Sequence, residues 1–575
     1  MIEDPIGFEV VKNGLVALAD ELAITIVRTA HSQVVRDSLD FSTAICDREG
    51  RVVAQGCGIP LHLGAIPDAM DTLLRKFGDD INPDDVFILN DPDEGGMHLP
   101  DIFVIRPVFA GARRIGFAAC VAHYPEIGGR MPGGNAVDST EIFQEGLQIP
   151  LLKLYDRGVR DETLVAILLR NVRIPDVVLG DLEAQLAACH VGEAGLLELA
   201  ERYGADGLQA FMEQLLDYTE ARIRAEIERM PDGEYTFADH IDDDGFGSGP
   251  IRVQVRLAIC GDQLTADFSG TSPQVRSALN ATMSFARATV YTAVKCVVSD
   301  DIPSNAGFYR PIIVSVPPGT ILNPLRPAPR AARGLTGFRA CDAVLGALAQ
   351  ALPGQVPAAG EGGASMIAIS GKRLDRSPFI FVDFVTGGWG ARPFADGIDG
   401  NSPIAANLSN VPVEEIEAHQ PLTVERYGFL PDTGGAGAYR GALSVVREYR
   451  FLEEEADLQL RSDRRQHLPY GVAGGDCGTP SANVLNPGRP EEQVLPTNVT
   501  TTIRHGDVFR HVTAGGGGYG VPSARSAERV RDDVVDGKIS AEYAVDVYRV
   551  EVDSQGNTVE RPRAGAGERD GALQS

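Results

Sequence analysis

"VFILNDPDEGGMHLPDIFVIRPVF", residues 86–109, decides how the N-terminal part of this chain folds. Two apolar runs, at 86–90 and 102–109, flank a polar segment, and runs of this length predict β-strands. A third apolar run, IGFAACVAH, ends on His123. Pro100 disfavours a helix between the first two strands, so the polar segment is predicted to be an extended or turning loop.

The flanking sequence indicates a mixed α/β unit around these strands. Residues 8–30 place apolar side chains at helical spacing, which predicts a helix with one buried face. Residues 41–55, FSTAICDREGRVVAQ, have the pattern of a β-hairpin with its turn at Asp47–Gly50. We expect the strand ends of this unit to carry polar residues.

The rest of the chain alternates between helical and strand patterns. Residues 176–230 are helical in pattern, and residues 251–269 alternate as a β-hairpin should, with a turn at Gly261–Asp262. Further helices and strands follow, and the last third is rich in glycine with short strands. The predicted fold class is mixed α/β (α+β), multidomain, with a glycine-rich, β-rich C-terminal part. The predicted units are an N-terminal α/β region (1–175), a helical segment (176–231), a central α/β domain (232–410), a C-terminal domain (411–560) and a flexible tail (561–575).

Charge and composition exclude several classes of function. The net charge is −28, which argues against nucleic acid as a partner, since phosphate binding needs a positive field. No apolar stretch approaches the ~20 residues that span a bilayer, and the N-terminus lacks the pattern of a signal peptide. The eight cysteines contain no CxxC pair. A cytoplasmic protein with reduced thiols is expected.

Three polar residues around the opening stretch suit a metal ion. His98 and Asp101 are three residues apart, and His123 ends the strand that follows. If that strand lies beside the one starting at Ile102, the strand ends bring the three side chains together. Two histidines and one carboxylate suit Zn, Mn or Fe and leave positions open for water or substrate. The alternative is three separate surface or hydrogen-bonded residues, and spacing does not select a fourth ligand.

Other motifs carry less information. GGGGYG at 515–520 matches GxGxxG, but Pro522 follows at once and no acid ends a second strand beyond it, so a glycine-rich turn is predicted. The sequence contains neither GxxxxGK[ST] nor GxSxG, so neither a P-loop nor a nucleophile elbow is visible. Glu126 is a candidate general base near a metal, or else a solvated loop acid.

Five blocks of the sequence resemble, in order, those of the hydantoinase B/oxoprolinase family. They are NDPDEGGMHLPDI, AHYPEIGGRMPGG, GGAGAYRGALSVVREY, LPYGVAGGDCGTP and TAGGGGYGVPSARSAERVRDDVVDGKIS. The resemblance runs from Asp4 to about Val547. The family includes subunits of ATP-dependent N-methylhydantoinases, caprolactamase-like lactam hydrolases, part of 5-oxoprolinases, and subunits of acetone and acetophenone carboxylases.

The resemblance implies a site for one divalent metal (Zn, Mn or Fe) held by Asp40, His98, Asp101 and His123. Asp40 comes from the resemblance alone. The missing P-loop fits the implied partner, a hydantoinase A-like protein in a heterodimer or A2B2 heterotetramer. That partner would bind ATP at an actin- or sugar-kinase-like site and phosphorylate the substrate.

The implied activity is ATP-dependent hydrolysis of a small cyclic amide of lactam, hydantoin or 5-oxoproline type. DPDEGG stands where the family often has an aromatic or small residue after DP, which leaves the substrate open. The chain is shorter than carboxylase subunits typically are, which favours amide hydrolysis. The alternatives are a subunit of an acetone- or acetophenone-type ketone carboxylase, a non-catalytic scaffold for the partner ATPase, and a free-standing metallohydrolase.

Overall fold

The computed structural model of the chain describes residues 4–62, 64–553, 556 and 558–560. The predicted flexible tail at 561–575 lies outside the described residues. The helices are α1 (Pro5–Thr29), α2 (Gln33–Arg36), α3 (Ala65–Phe77), α4 (Glu162–Asn171), α5 (Pro175–Tyr203), α6 (Ala205–Glu228), α7 (Met283–Lys295), α8 (Ala306–Tyr309), α9 (Gly334–Ala351), α10 (Val413–His419), α11 (Ala527–Val535) and α12 (Ala541–Tyr543). In the part of the chain that is described, no helix combines the length and the apolarity needed to cross a membrane.

The strands form several separate sheets. They are β1 (Phe41–Asp47), β2 (Val52–Gln55), β3 (Val86–Leu89), β4 (Asp101–Ala110), β5 (Arg113–His123), β6 (Leu152–Asp156), β7 (Val159–Arg160), β8 (Gly233–Ile241), β9 (Ile251–Cys260), β10 (Gln263–Asp267), β11 (Ile312–Ser315), β12 (Ser365–Lys372), β13 (Pro378–Val385), β14 (Leu422–Leu430), β15 (Ser444–Phe451), β16 (Glu455–Arg461), β17 (Ala482–Leu485), β18 (Gln493–Val494), β19 (Asn498–Arg504), β20 (Val508–Val512), β21 (Val550–Val552) and β22 (Thr558–Glu560). Interleaved helices and multiple sheets confirm the predicted mixed α/β class.

The first sheet has seven strands in the order β2-β1-β5-β4-β3-β6-β7. Both of its faces are covered, because Phe103 and Ile105 pack into one hydrophobic core while Ile102 and Val104 pack into another. Because both faces are buried, β4 consists mostly of consecutive apolar residues and does not alternate between apolar and polar residues. The second core also includes α1 and α5. The predicted helix at 8–30 and the predicted hairpin at 41–55 are both confirmed.

Two four-stranded sheets follow the first sheet. β11-β10-β9-β8 form one, and β9 with β10 is the predicted hairpin. The other has the order β13-β12-β16-β19 and pairs strands that precede residue 410 with strands that follow it. Residue 410 is the predicted boundary between the central and C-terminal domains, so this sheet crosses that boundary, and the predicted domain boundaries remain a proposal. Helix α9 packs against β8 and β9, and its N-terminus faces the first sheet.

The glycine-rich C-terminal part contains a bundle of extended segments, here called the glycine bundle (358–360, 434–442, 471–479 and 514–520). The N–H of Gly515 donates to Thr479, that of Gly516 to Ala442 and that of Gly517 to Ala359. Gly518 and Tyr519 donate to the same two segments as Gly515 and Gly516, through Asp476 and Tyr439, whereas Gly520 donates to Val472. The N–H groups of 515–520 are therefore shared among the three other segments of the bundle.

A Cβ on any of Gly515, Gly516, Gly517 or Gly518 would collide with a neighbouring backbone. Glycine is therefore required here for close packing of backbone against backbone. The predicted glycine-rich turn at 515–520 is wrong, because its N–H groups pair with separate segments of the chain.

Candidate metal centre

The candidate centre lies where two neighbouring strands of the first sheet end. β4 begins at Asp101 and β5 ends at His123, and these two residues are opposite each other in the antiparallel ladder. The N–H of Asp101 donates to the carbonyl of His98, which closes a tight turn just before β4. The predicted meeting of the three side chains is confirmed.

Three atoms of this cluster are almost equidistant. His98 Nε2 lies 3.0 Å from Asp101 Oδ1 and 3.1 Å from His123 Nδ1. His123 Nδ1 lies 3.1 Å from the same Asp101 oxygen. All three side chains are buried, so little water is available to solvate these atoms.

The hydrogen bonding of His98 shows that lone pairs face each other in the cluster. His98 Nδ1 is 3.0 Å from the carbonyl oxygen of Ala331, and because a carbonyl only accepts, Nδ1 carries the proton. Burial, and then the charge of Arg333, lower the pKa of His98 to about 3, so the ring is neutral and Nε2 has a free lone pair. That lone pair faces a carboxylate oxygen, which also only accepts.

This donor set fits a divalent metal. Two imidazole nitrogens and one carboxylate oxygen are ligands for Zn, Mn or Fe. A cation bound to all three would relieve the repulsion between His98 Nε2 and Asp101 Oδ1. The carbonyl of Ala331 orients the His98 ring, as partners of metal-binding histidines commonly do.

Asp40, the fourth predicted ligand, lies beside this cluster. Its Oδ2 is 3.9 Å from His123 Nδ1, and its Oδ1 is 3.7 Å from His62 Nε2. Its backbone is held from both sides, since its N–H donates to Val34 and its carbonyl accepts from the N–H of His123. The preceding Leu39 has φ 62°, a left-handed conformation that costs a leucine roughly 1–2 kcal/mol. The fold therefore maintains local strain next to Asp40.

Arg333 supports the cluster from the other side. Its guanidinium pairs with Asp101 Oδ2 and lies over the ring of Phe285. Burial alone would raise the pKa of Asp101, but Arg333 and the two imidazoles hold that pKa well below its usual range. Asp101 is therefore ionised and keeps Oδ1 directed at the histidines.

A small cavity of about 50 Å³ opens from the cluster. One part of its wall is polar and contains Asp40, His62, His98, His123, Arg333 and Arg461. The rest is apolar, with Phe285, Phe338 and Phe384 among its residues. A volume of this size accommodates a few water molecules or a small polar group.

The structure places Glu126 away from this wall. Its carboxylate accepts hydrogen bonds from the N–H of Gly128 and from the N–H and guanidinium of Arg173. The side chain is buried, so it is not a solvated loop acid. Its role as a base stays a prediction.

The acids of the opening stretch stabilise the loop. Asp91 Oδ1 accepts the N–H of Asp93, and Asp93 pairs with Arg326 and Arg330. Glu94 accepts from the N–H of Leu151 and from Lys76. None of them belongs to the described three-residue cluster.

Sequence reasoning missed His62, Arg333 and Arg461. Each stands in a local pattern without any metal or catalytic motif, and each reaches the cavity through the tertiary fold. His62 is held by Ser42, whose Oγ is 3.2 Å from its Nδ1. No signal in the sequence distinguished these residues from structural ones.

Comparison with known proteins places this geometry in a family. The chain is 34% identical over 570 residues to the B component of a putative D-/L-hydantoinase from Pseudomonas sp. (strain NS671), covering 96% of this chain and 95% of that protein. The crystal structure of ATP-dependent caprolactamase from Pseudomonas jessenii is similar with a TM-score of 0.92 at 31% identity, covering 97% of this chain and 98% of that one. A nucleotide-free acetone carboxylase structure shares the fold, with a TM-score of 0.90 at 18% identity over 97% of this chain and 81% of that chain.

The family model described as Hydantoinase B/oxoprolinase matches residues 4–522. The match spans the cluster of His98, Asp101 and His123, the second and third sheets and most of the C-terminal part, including the glycine bundle. By both sequence and fold, the chain belongs to the hydantoinase B/oxoprolinase family.

Proposed function

We propose that this chain is the metal-containing subunit of an ATP-dependent cyclic amide hydrolase. The substrate is a lactam, hydantoin or 5-oxoproline that a hydantoinase A-like partner has phosphorylated with ATP. The names of the similar hydantoinase component and caprolactamase support this class of reaction. The observation that carries the proposal is the buried cluster of His98, Asp101 and His123, in which one atom of each side chain lies 3.0–3.1 Å from the other two.

The chemistry requires activation of the amide. Resonance protects the C–N bond, and phosphorylation of the carbonyl oxygen removes that resonance. A divalent metal held by Asp40, His98, Asp101 and His123 would lower the pKa of a water from 15.7 towards about 7 and would polarise the substrate. Water then adds its oxygen to the amide carbon, the C–N bond breaks, and the nitrogen takes a proton. The resulting acyl phosphate reacts with a second water to give the carboxylate and inorganic phosphate.

Proton transfer in this scheme needs a group beside the cavity. The sequence favours Glu126 for this role, but its carboxylate is engaged by Arg173. His62 is better placed, because it lines the cavity, and burial lowers its pKa so that the ring is a neutral proton acceptor. We therefore include His62 in the proposal as the first candidate and Glu126 as the second.

The test compares the His98→Ala variant with wild type, each co-expressed with the hydantoinase A-like partner. We expect wild-type protein to contain stoichiometric metal and to open a lactam ring with ATP. The variant should lose both the metal and ring opening, while part of the ATP hydrolysis by the partner survives. His190→Ala is the matched control, because His190 is exposed and its ion-pair partner among the described residues is Glu193.

Two results would contradict the proposal. Full ring opening by metal-free His98→Ala protein would exclude the cluster from catalysis. Wild-type protein without metal would indicate a scaffold instead. Product analysis with and without bicarbonate separates the carboxylase alternative, since only a carboxylase needs bicarbonate for turnover. Turnover without ATP or the partner would indicate a free-standing hydrolase.

A further inference from the structure

Arg461 differs from every other buried arginine in the described part of the chain. It ends β16 and is only 4% exposed. The other buried arginines each have a carboxylate within ion-pair distance: Arg330, Arg333, Arg339, Arg440, Arg447, Arg464 and Arg525. Among described residues, no carboxylate lies within that distance of Arg461.

The hydrogen bonds of Arg461 are also incomplete. Its guanidinium makes one long contact, 3.5 Å from the carbonyl of Ala364. Its Nε has no partner among described residues, as is also true of the other buried arginines, so the missing carboxylate is what sets Arg461 apart. Burial, and then the nearby charge of Arg333, lower the pKa of Arg461 to about 10. It therefore stays charged at neutral pH, and a buried charge is costly unless an opposite charge meets it.

A helix N-terminus lies directly against this cation. Gly334 is the first residue of α9, and a Cβ there would be 3.3–3.4 Å from three atoms of the Arg461 guanidinium. No side chain caps α9, so the N–H groups of its first turn have no partner within the helix. These groups and the helix dipole favour an anion. Arg333, the N-cap residue, lines the same cavity.

We propose that Arg461 and the N-terminus of α9 bind the phosphoryl group of the activated substrate, with Arg333 on one side. This inference rests on the proposed function above. Guanidinium groups and helix N-terminal N–H groups are the usual protein donors to phosphoryl oxygens. The same wall of the cavity contains His98 and His123, so the phosphoryl group would anchor the amide carbon beside the metal ligands.

Charge supports a dianion over a carboxylate. The charges of Arg333 and Arg461 are offset by those of Asp40 and Asp101, the acids of this site. A divalent metal held by the cluster would add two positive charges, which a phosphoryl dianion would balance and a monoanion would not. The phosphoryl group of the bound substrate would thus supply the negative charge that no carboxylate of the described residues supplies to Arg461.

The test measures binding of inorganic phosphate to the metal-loaded chain by calorimetry, with acetate in a parallel arm. Wild-type protein should bind phosphate more tightly than acetate. Arg461→Met should weaken phosphate binding by about 10- to 100-fold, and Arg461→Lys should restore part of it. Metal content should not change. Arg504→Met is the matched control, because Arg504 ends the neighbouring strand β19 but is exposed.

A second variant, Gly334→Ala, keeps the Arg461 charge but displaces the guanidinium group. Gly334→Ala places a methyl group against the guanidinium, so phosphate binding should fall although Arg461 is present. Unchanged phosphate binding in both Arg461→Met and Gly334→Ala would overturn this inference, and tighter binding of acetate than phosphate would assign the site to a carboxylate.

The outcomes are distinguishable from those that test the proposed function. If the wild-type complex opens a lactam ring but Arg461→Met binds phosphate like wild type, only the phosphoryl site is wrong. If the phosphate results are as expected but the complex opens no ring, the anion site stands and the proposed hydrolysis is wrong.

Discussion

The candidate metal cluster (His98, Asp101 and His123, here called the metal cluster) and the glycine bundle both bury polar atoms. They differ in how the hydrogen-bonding capacity of those atoms is satisfied. In the glycine bundle each N–H from Gly515 to Gly520 has a carbonyl acceptor on a neighbouring segment. In the metal cluster, the acceptor atoms His98 Nε2 and Asp101 Oδ1 face each other at 3.0 Å. A region whose polar groups satisfy one another has a structural role, whereas convergent acceptors indicate a ligand.

The largest expected effect comes from breaking the bundle. In Gly517→Ala the new methyl group would collide with the backbone of Tyr470 and Gly471. We expect a loss of more than about 4 kcal/mol in the free energy of unfolding, or insoluble protein. Urea denaturation measures the loss. Gly428→Ala is the matched control, since a Cβ at Gly428 meets nothing within 4 Å. Equal stability of the two variants would contradict close backbone packing.

Breaking the metal cluster should affect activity while leaving the fold. His123→Ala removes one of the three converging atoms, so we expect loss of metal and a roughly thousandfold loss of ring opening, about 4 kcal/mol in transition-state stabilisation. The free energy of unfolding of the metal-free protein should change by no more than about 2 kcal/mol. Elemental analysis, product assay and denaturation are measured together. Unfolding of the variant under native conditions would mean that the cluster is structural.

A buried ion pair between two fully buried side chains should also contribute to stability, as the glycine bundle does. Asp383 and Arg447 are fully buried and paired at 2.8 Å, and Tyr449 also donates to Asp383. Asp383→Asn leaves the Arg447 charge uncompensated, so we expect a loss of about 3–5 kcal/mol in the free energy of unfolding. The control Asp301→Asn breaks an exposed pair with Arg222 and should cost less than about 1 kcal/mol. Similar losses in the free energy of unfolding for Asp383→Asn and Asp301→Asn would contradict a larger contribution of the buried pair.

The most gradual effect concerns pH and the loop that holds Ala331, because it accumulates over several pH units. Glu145 accepts from the N–H groups of Arg330 and Ala331, and burial raises its pKa from 4.5 to about 8. Between these values the folded protein keeps a proton that the unfolded chain has released, so stability falls as pH rises. The slope is at most about 1.4 kcal/mol per pH unit. Glu145→Gln should flatten this part of the stability profile, and an unchanged profile would show that Glu145 titrates normally.

Local patterns in the sequence predict most of the elements correctly. The helix at 8–30, the hairpin at 41–55 and the strands flanking the opening stretch follow from periodicity, because backbone geometry imposes those repeats. The glycine-rich segment at 515–520 is the exception, since it is not the predicted turn. Glycine permits a turn and close backbone packing equally, and only neighbours distant in the chain decide between them.

The residues of the candidate site also fall into those that the sequence could predict and those that it could not. His98 and Asp101 are near each other in the chain, and His123 ends the neighbouring strand, so their meeting could be predicted. Asp40 required the family resemblance. Glu126 stands close to His123 in sequence, yet its carboxylate faces Arg173. Proximity along the chain does not determine which way a loop side chain points.

By itself, the sequence determined the family and the strand ends, and it predicted that His98, Asp101 and His123 meet if the strands at 102–109 and 115–123 are neighbours. Only the tertiary structure decided that Arg461 at the end of β16 meets Gly334 at the start of α9. The reason is physical: a strand end and a helix end from different parts of the chain are brought together by packing of the whole core. That packing also decides which buried charges are paired and which one is left for a ligand.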